Sequence, residues 1–118
     1  MTNAHAPDVA AVNTRLAELV RKFVARTAEE VSQMRAALAA VNTGQGEDHG
    51  AGLALIHQLA HRTCGTGGTL GLHALADAAG AIEQLVDACP ADTPPDAATL
   101  TQIGAGIDRL ATELAALT

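Results

Sequence analysis

The sequence predicts an all-α domain folded as an antiparallel four-helix bundle, and three observations support this prediction. Its 118 residues are enough for one domain with one core, and the domain is expected to span residues 1–118. They include 27 alanines and 14 leucines, which favour helices, and a single aromatic residue, Phe23. Apolar residues also recur every three or four positions in four stretches, and short breaks containing Gly or Pro separate these stretches.

The first and longest stretch predicts one amphipathic helix. Its buried face is expected to carry Val12, Leu16, Leu19, Phe23, Thr27, Val31, Met34, Leu38 and Val41. The pair Asn13-Thr14 is a possible helix start, so a short extra N-terminal helix remains an alternative. Residues 1–7 are expected to be flexible, and the glycine-containing stretch 42–46 is expected to end the helix.

Two further helices follow in the middle of the chain. The second begins near Asp48, and its buried face is predicted to carry Leu53, Ile56, Ala60 and Thr63. It runs into a glycine-rich segment. The third has its apolar face at Leu72, Leu75, Ala79, Ile82, Val86 and Cys89. Pro90 is expected to close it, because proline cannot continue a helix.

The fourth helix is predicted to begin with Thr93 as its N-cap and with Pro94 and Pro95 in its first turn. Asp96 would then interact favourably with the helix dipole. Its core face is predicted at Leu100, Ile103, Ile107, Leu110, Leu114 and Leu117. Four amphipathic helices with short connections favour an up-down bundle, which can close its own core as a monomer.

Charge and composition narrow the classes of partner. The net charge of −6 argues against nucleic acid and against an anionic membrane surface. The N-terminal residues lack the basic and apolar regions of a signal peptide, and no apolar run reaches the ~18 residues of a membrane span. Two cysteines do not make a disulfide framework. A cytoplasmic location is therefore expected.

The segment from His57 to Gly68 departs from the pattern of a simple bundle. Each glycine inside a helix costs about 1 kcal/mol relative to alanine. Counted from His61, the positions on the same helix face are Cys64, Gly65 and Gly68. His61 is therefore expected to project outward beside a bare surface, where a partner could reach its nucleophilic imidazole. The alternative is that these glycines form only a helix C-cap and loop.

These residues resemble the motif of the histidine phosphotransfer (HPt) domain family. The motif reads roughly His-x-Leu-Lys-Gly, followed by small residues and then by hydrophobic-Gly-hydrophobic. His61, Gly65, Leu70, Gly71 and Leu72 match it, and the preceding Ala60, the later Leu75 and the pair Ile82-Glu83 also fit. If His57 were the histidine of the motif, the position four residues later, where the motif has glycine, would be occupied by His61, and the match would fail.

The resemblance implies a phosphocarrier without kinase activity of its own. His61 would be the phosphorylated nucleophile, relaying a phosphoryl group between aspartates of receiver domains. Those receivers belong to response regulators or hybrid histidine kinases, and they supply Mg²⁺; the chain itself binds no cofactor. The docking and access surface would be formed by His57, Arg62, Cys64, Gly65 and Gly68, and Leu70, Gly71 and Leu75 would be structural.

The sequence departs from the family motif at two positions. Cys64 stands where the family usually has a lysine near the phosphoryl group, and Thr63 replaces a common leucine. Arg62, or Lys22 or Arg26 from the first helix, could supply the missing positive charge. A domain that docks receivers without relaying a phosphoryl group is therefore the main alternative function.

Other chemistries are less well supported. His57 and His61 have a spacing that can chelate zinc, with Cys64 and His73 as further possible ligands, although no metal site is assigned. Gln58 replaces the glutamate of a zinc hydrolase. The glycines match no nucleotide-binding motif, and the cysteines lack a Cys-x-x-Cys spacing. The remaining histidines, His5, His49 and His73, are expected to be solvated.

Overall fold

A computed structural model describes residues 9–42 and 49–118, and these residues form four α-helices and no strand. They are α1 (Val9–Asn42), α2 (His49–Thr69), α3 (His73–Asp87) and α4 (Ala97–Ala115). The predicted all-α class is confirmed. The expected flexibility of residues 1–7 and most of the predicted break at residues 42–46 lie outside the described residues.

The helices form a closed ring in which each helix packs against the next and α4 packs against α1. The contacts that join neighbouring helices show that each pair is antiparallel. Gly52 near the start of α2 lies against Ala37 and Val41 near the end of α1, whereas Arg62 further along α2 meets Glu30. The predicted up-down bundle is therefore the observed architecture.

The core consists mainly of aliphatic side chains from all four helices, together with Phe23. The hydrophobic residues with no exposed surface are Met34, Ile56, Ala60, Ala78, Ala79, Ile82, Ile103, Ile107 and Leu110. This confirms the apolar faces predicted for α2, α3 and α4, except that Leu117, predicted on the face of α4, is 40% exposed and lies beyond the end of that helix. Small residues bring the helices close: a Cβ atom at Gly106 of α4 would lie 3.1 Å from Cγ1 of Ile82 in α3.

Helix α1 differs from the prediction in its first third. It is continuous through Asn13-Thr14, so the structure shows no separate short helix within residues 9–42. The predicted core residues Val12, Leu16 and Leu19 are exposed, because α1 has 34 residues and extends past α4, which ends beside Val24. None of the helices described here is both long and apolar enough to cross a bilayer.

The helix ends explain two of the breaks in the sequence. Gly71 has φ +76°, donates its N–H to the Gly68 carbonyl and precedes Leu72, which donates to the Gly67 carbonyl. These two bonds form a Schellman motif, in which glycine tolerates the left-handed conformation. They end α2 and turn the chain directly into α3.

The cap predicted for α4 is wrong. Asp96 is the N-cap, and its carboxylate accepts a hydrogen bond from the Thr99 N–H at 2.7 Å. Pro94 and Pro95 therefore precede the helix, and Thr93 lies in the loop. The aspartate replaces threonine as the cap because only Asp96 directly precedes the first helical residue, Ala97. Similarly, α3 ends at Asp87, before Cys89 and Pro90.

Candidate functional site

The site is centred on His61, which lies in the second half of α2. Its side chain is 72% exposed, whereas Ala60 and Thr63 on either side of it are buried. The buried stripe of α2 therefore turns His61 away from the core, as helix periodicity predicted. The outward projection of the imidazole is confirmed.

A carboxylate of α3 orients the imidazole. His61 Nδ1 lies 2.8 Å from Oε2 of Glu83, and Glu83 is about four-fifths buried. With Glu83 ionised, Nδ1 carries the proton and donates it, which leaves Nε2 with its lone pair as the outer ring nitrogen. The contact orients the ring and favours the tautomer that carries its proton on Nδ1.

A second histidine lies one turn before His61 and has its own carboxylate. The rings of His57 and His61 are stacked, with centroids 6.2 Å apart and planes within 5° of parallel. His57 Nε2 lies 2.9 Å from Oδ1 of Asp87 and 3.8 Å from Oε2 of Glu83. Two histidines of α2 thus face two carboxylates of α3.

The register of the two helices explains this pairing. Each histidine and its carboxylate lie the same number of residues before and after Leu72, the last of the three residues between the helices. In an antiparallel helix pair such positions lie at the same level, and steps of four keep both pairs on one face. His57, His61, Glu83 and Asp87 are therefore brought together by the tight turn at Gly71.

The glycines beside His61 lie within the helix. Helix α2 continues through Gly65, Gly67 and Gly68 to Thr69, so the reading of these glycines as a cap and loop is wrong. A Cβ atom at Gly65 or Gly68 would meet nothing within 4 Å, whereas Gly67 faces Ala76 of α3. The surface next to His61 is therefore bare, as predicted.

Cys64, at the usual lysine position, points along the seam between α2 and α3. Its side chain is half-buried, and its Sγ would lie 3.5 Å from a Cβ atom at Gly80. It packs against the hydrophobic core. Cys64 therefore contributes packing at this position, where a lysine would contribute a positive charge.

The arginines expected to replace that charge are engaged elsewhere. Glu30 of α1 is buried, and its carboxylate accepts a hydrogen bond from Arg62 and lies 3.6 Å from Nε of Arg26. The Thr63 hydroxyl also points to Glu30, at 3.5 Å, which explains a polar residue where the family has leucine. The charges of Arg62 and Arg26 thus offset that of Glu30, on the side of α2 facing α1.

The other residues singled out in the sequence lie around the site or away from it. Leu75 is buried, Leu70 is half-buried, and Gly71 makes the turn, so these three residues support the α2–α3 hairpin. His73 is exposed. His49 is half-buried with its Nε2 shielded from solvent, so the expectation of a solvated side chain is wrong there. His5 lies outside the described residues.

Neither cysteine is disulfide-bonded. Burial, and then the negative charge of Asp96, raise the pKa of the Cys89 thiol above its ordinary value. Its Sγ donates a hydrogen bond to the Leu85 carbonyl at 3.4 Å. A raised pKa disfavours the reactive thiolate, so Cys89 has the character of a packing residue.

Three carboxylates that pair with residues of the candidate site were missed or given no role by sequence reasoning: Glu30, Glu83 and Asp87. The spacing of Glu83 and Asp87 repeats that of His57 and His61, and with the antiparallel register it could have revealed their pairing. Glu30 carries no comparable signal. It falls on the buried face of a helix, where a carboxylate is unusual.

Comparison with known proteins agrees with this fold. The family model of the Hpt domain matches residues 18–117, so the chain belongs to the Hpt domain family. It is thus a histidine phosphotransfer module of two-component signalling, and domains of this family interact with receiver domains in phosphorelays. Searches among curated proteins and among solved structures gave no match.

Proposed function

We propose that this domain relays a phosphoryl group between receiver-domain aspartates and carries it as phosphohistidine on Nε2 of His61. The observation that best supports the proposal is the contact of His61 Nδ1 with Glu83 at 2.8 Å on an exposed ring. It directs the nucleophilic lone pair to the outer nitrogen, which a partner can reach.

The transfer itself needs little from this chain. Nε2 attacks the phosphorus of an aspartyl phosphate in line; the N–P bond forms as the P–O bond breaks, and the carboxylate of the receiver leaves. Glu83 balances the positive charge that develops on the imidazole. The Mg²⁺ ion belongs to the receiver, where it neutralises charge on the phosphoryl oxygens. The reverse reaction passes the group to another aspartate.

The docking surface is the exposed part of α2 around His61. Gly65 and Gly68 provide the bare area, and His57 and Arg62 border it on two sides. Cys64 lies deeper, in the seam with α3. The partners are receiver domains of response regulators or hybrid histidine kinases. We place the domain in the cytoplasm as a monomer, with neither nucleic acid nor membrane as a partner.

A second function is favoured by the charge around His61. The side chains nearest its ring are His57 and the acidic Glu83, with Asp87 beyond, and the usual lysine is absent. A phosphoryl group here would be repelled by two carboxylates. The domain would then dock receivers without accepting the phosphoryl group.

One labelling experiment separates the two functions. The protein is incubated with Mg²⁺ and each radiolabelled phospho-receiver of the source organism, and the product is tested for acid-labile, base-stable label. Relay predicts label on the wild type and none on His61→Gln. The matched control is His73→Gln, an exposed histidine of α3, which should be labelled like the wild type.

Each outcome decides between the two functions. Label that persists in His61→Gln contradicts the assignment of His61. Absence of label with every receiver, together with measurable receiver binding, establishes docking without relay. Loss of label in His73→Gln would place the phosphoryl acceptor on α3 and overturn the proposal.

A further inference from the structure

We propose that His57, Glu83 and Asp87 form a binding site for a divalent transition-metal ion such as Zn²⁺. Nε2 of His57 and a carboxylate oxygen of each acidic residue lie within 4.8 Å of one another, the one such group of three among the residues that the structure describes. The site shares Glu83 with the phosphotransfer site but makes no use of His61 as a ligand.

The donor atoms have nearly the separations that a zinc ion requires. With metal–ligand bonds of about 2.0–2.1 Å, the donors of a tetrahedral ion lie about 3.3 Å apart. His57 Nε2 is 2.9 Å from Asp87 Oδ1 and 3.8 Å from Glu83 Oε2, which brackets this value. The third separation, between Glu83 and Asp87, is at most 4.8 Å, so rotation of the side chains would bring the donors together without movement of the backbone.

The helices provide a rigid frame for the ligands. Glu83 and Asp87 lie one turn apart on α3, and His57 approaches from α2, its direct neighbour. His57, Glu83 and Asp87 side chains are 32%, 20% and 64% exposed, so an ion can enter from solvent. Three protein ligands leave a fourth position for water, the arrangement of an open zinc site.

His61 would then belong to the outer shell of the metal. Carboxylate ligands are usually hydrogen-bonded by a second residue, and Glu83 already accepts a hydrogen bond from His61 Nδ1. The Glu83 Oε2 that faces His57 is the oxygen that accepts this bond, and a carboxylate oxygen has two lone pairs, so it can bind an ion and keep the hydrogen bond from His61. The ion would bring positive charge to a face that carries two carboxylates one turn from His61.

The donor set indicates the class of metal. One imidazole and two carboxylates suit Zn²⁺ and related first-row ions better than Ca²⁺ or Mg²⁺, which prefer oxygen ligands alone. This set differs from the one suggested by the sequence: Cys64 packs against the core, and His73 belongs to no such group in the described structure. The α3 carboxylates take their place.

The site is tested by titrating the full-length protein with Zn²⁺ alone in a calorimeter. Saturable one-to-one binding is expected, with affinity reduced more than about tenfold in His57→Gln and in Asp87→Asn. His73→Gln and Asp77→Asn are matched controls, because they change an exposed histidine and an exposed aspartate one turn apart on α3. Both should bind within about twofold of the wild type.

A second measurement on the unmodified protein guards against variants that fold poorly. The imidazole signals of His57 in a ¹⁵N NMR spectrum should shift on zinc addition, and those of His73 should not. Equal zinc affinity of His57→Gln and the wild type, or unshifted His57 signals at saturation, would overturn the proposal. Because no receiver is present, the result does not depend on phosphotransfer to His61.

Discussion

Nδ1 of His61 on α2 and Oε2 of Glu83 on α3 are joined by a 2.8 Å hydrogen bond across the helix interface. The exposed histidine thus depends on a largely buried partner for its orientation. The bond connects the packing of the hairpin to the chemistry proposed for His61: if α2 and α3 shift in register, the nucleophile changes its tautomer or its direction. The first prediction concerns this bond.

Replacement of Glu83 by alanine should slow phosphotransfer to His61 about 10- to 100-fold, the usual effect of removing a partner that orients a histidine. Glu83→Gln keeps an acceptor oxygen for the Nδ1 proton and should lose less. ¹⁵N NMR reports the tautomer directly. The alanine variant should show a mixture of the two tautomers; an unchanged tautomer together with an unchanged rate would contradict the role of Glu83.

Restoring the family lysine should stabilise the phosphorylated form. A positive charge about 4 Å from a phosphoryl oxygen contributes about 1 kcal/mol even in the dielectric of bulk water, which is about fivefold in the equilibrium. Cys64→Lys should therefore raise the steady-state fraction of phosphorylated protein several-fold. Cys64→Met is the control, because it adds length without charge. Equal gains in both variants would show that size alone is responsible.

Replacement of glycines in the α2–α3 hairpin by alanine should raise the free energy of unfolding at some positions and lower it at another. Gly65→Ala and Gly68→Ala place a methyl group in open space inside a helix, so each should raise the free energy of unfolding by about 0.5–1 kcal/mol. Gly71→Ala places it on a residue with φ +76°, which costs about 1–2 kcal/mol. Urea denaturation measures all three changes.

A bulky side chain at the bare surface should affect docking without affecting folding. Gly68→Leu is expected to reduce the rate of phosphotransfer more than about tenfold, because it obstructs the approach to His61. Gly50→Leu is the matched control: it also adds a side chain to open space on α2, but near the start of the helix. A full rate in Gly68→Leu would place the docking surface elsewhere.

The N-cap of α4 should make part of the stability depend on pH. Hydrogen bonds from the side chain and backbone of Thr99 lower the pKa of Asp96 below its ordinary value of 3.8. A lowered pKa in the folded state contributes stability above pH 4, and this is lost as the pH falls through the folded value. The Tm difference between the wild type and Asp96→Ala should narrow below pH 4.

Two variants control this measurement. Asp96→Asn caps the helix without a charge, so its own capping contribution should not titrate. Asp92→Ala removes an exposed aspartate of the preceding loop and should leave Tm nearly unchanged. A constant Tm difference between the wild type and Asp96→Ala from pH 7 to pH 2.5 would contradict the capping role.

The helices could be predicted from the sequence because helix formation depends largely on the composition and the apolar periodicity of each segment itself. The buried faces of α2, α3 and α4 follow directly from spacing. The exposure of Val12, Leu16 and Leu19 could not be predicted, because it depends on where the neighbouring helices end. The N-cap of α4 was misplaced by three residues, since Thr93 and Asp96 are both good capping residues and the backbone path selects between them.

The site was predictable where it depends on a single helix. The outward direction of His61 and the bare surface at Gly65 and Gly68 require only the period of α2. To predict the contacts of Arg62 with Glu30 and of His61 with Glu83, one must know the register between neighbouring helices. The apolar periodicity of a single helix carries no information about that register. For this reason Arg62 was assigned as a possible phosphoryl partner, while the structure shows it paired with α1.

The most direct test of the central claim is to locate the phosphoryl group on a single atom. The protein, phosphorylated by its receiver, is examined by ³¹P and ¹⁵N NMR at alkaline pH, where phosphohistidine is stable. With Glu83 holding the Nδ1 proton, one phosphohistidine signal is expected, bonded through Nε2 of His61 and absent from His61→Gln. A phosphoryl group on Nδ1, or on any other histidine, would contradict the account.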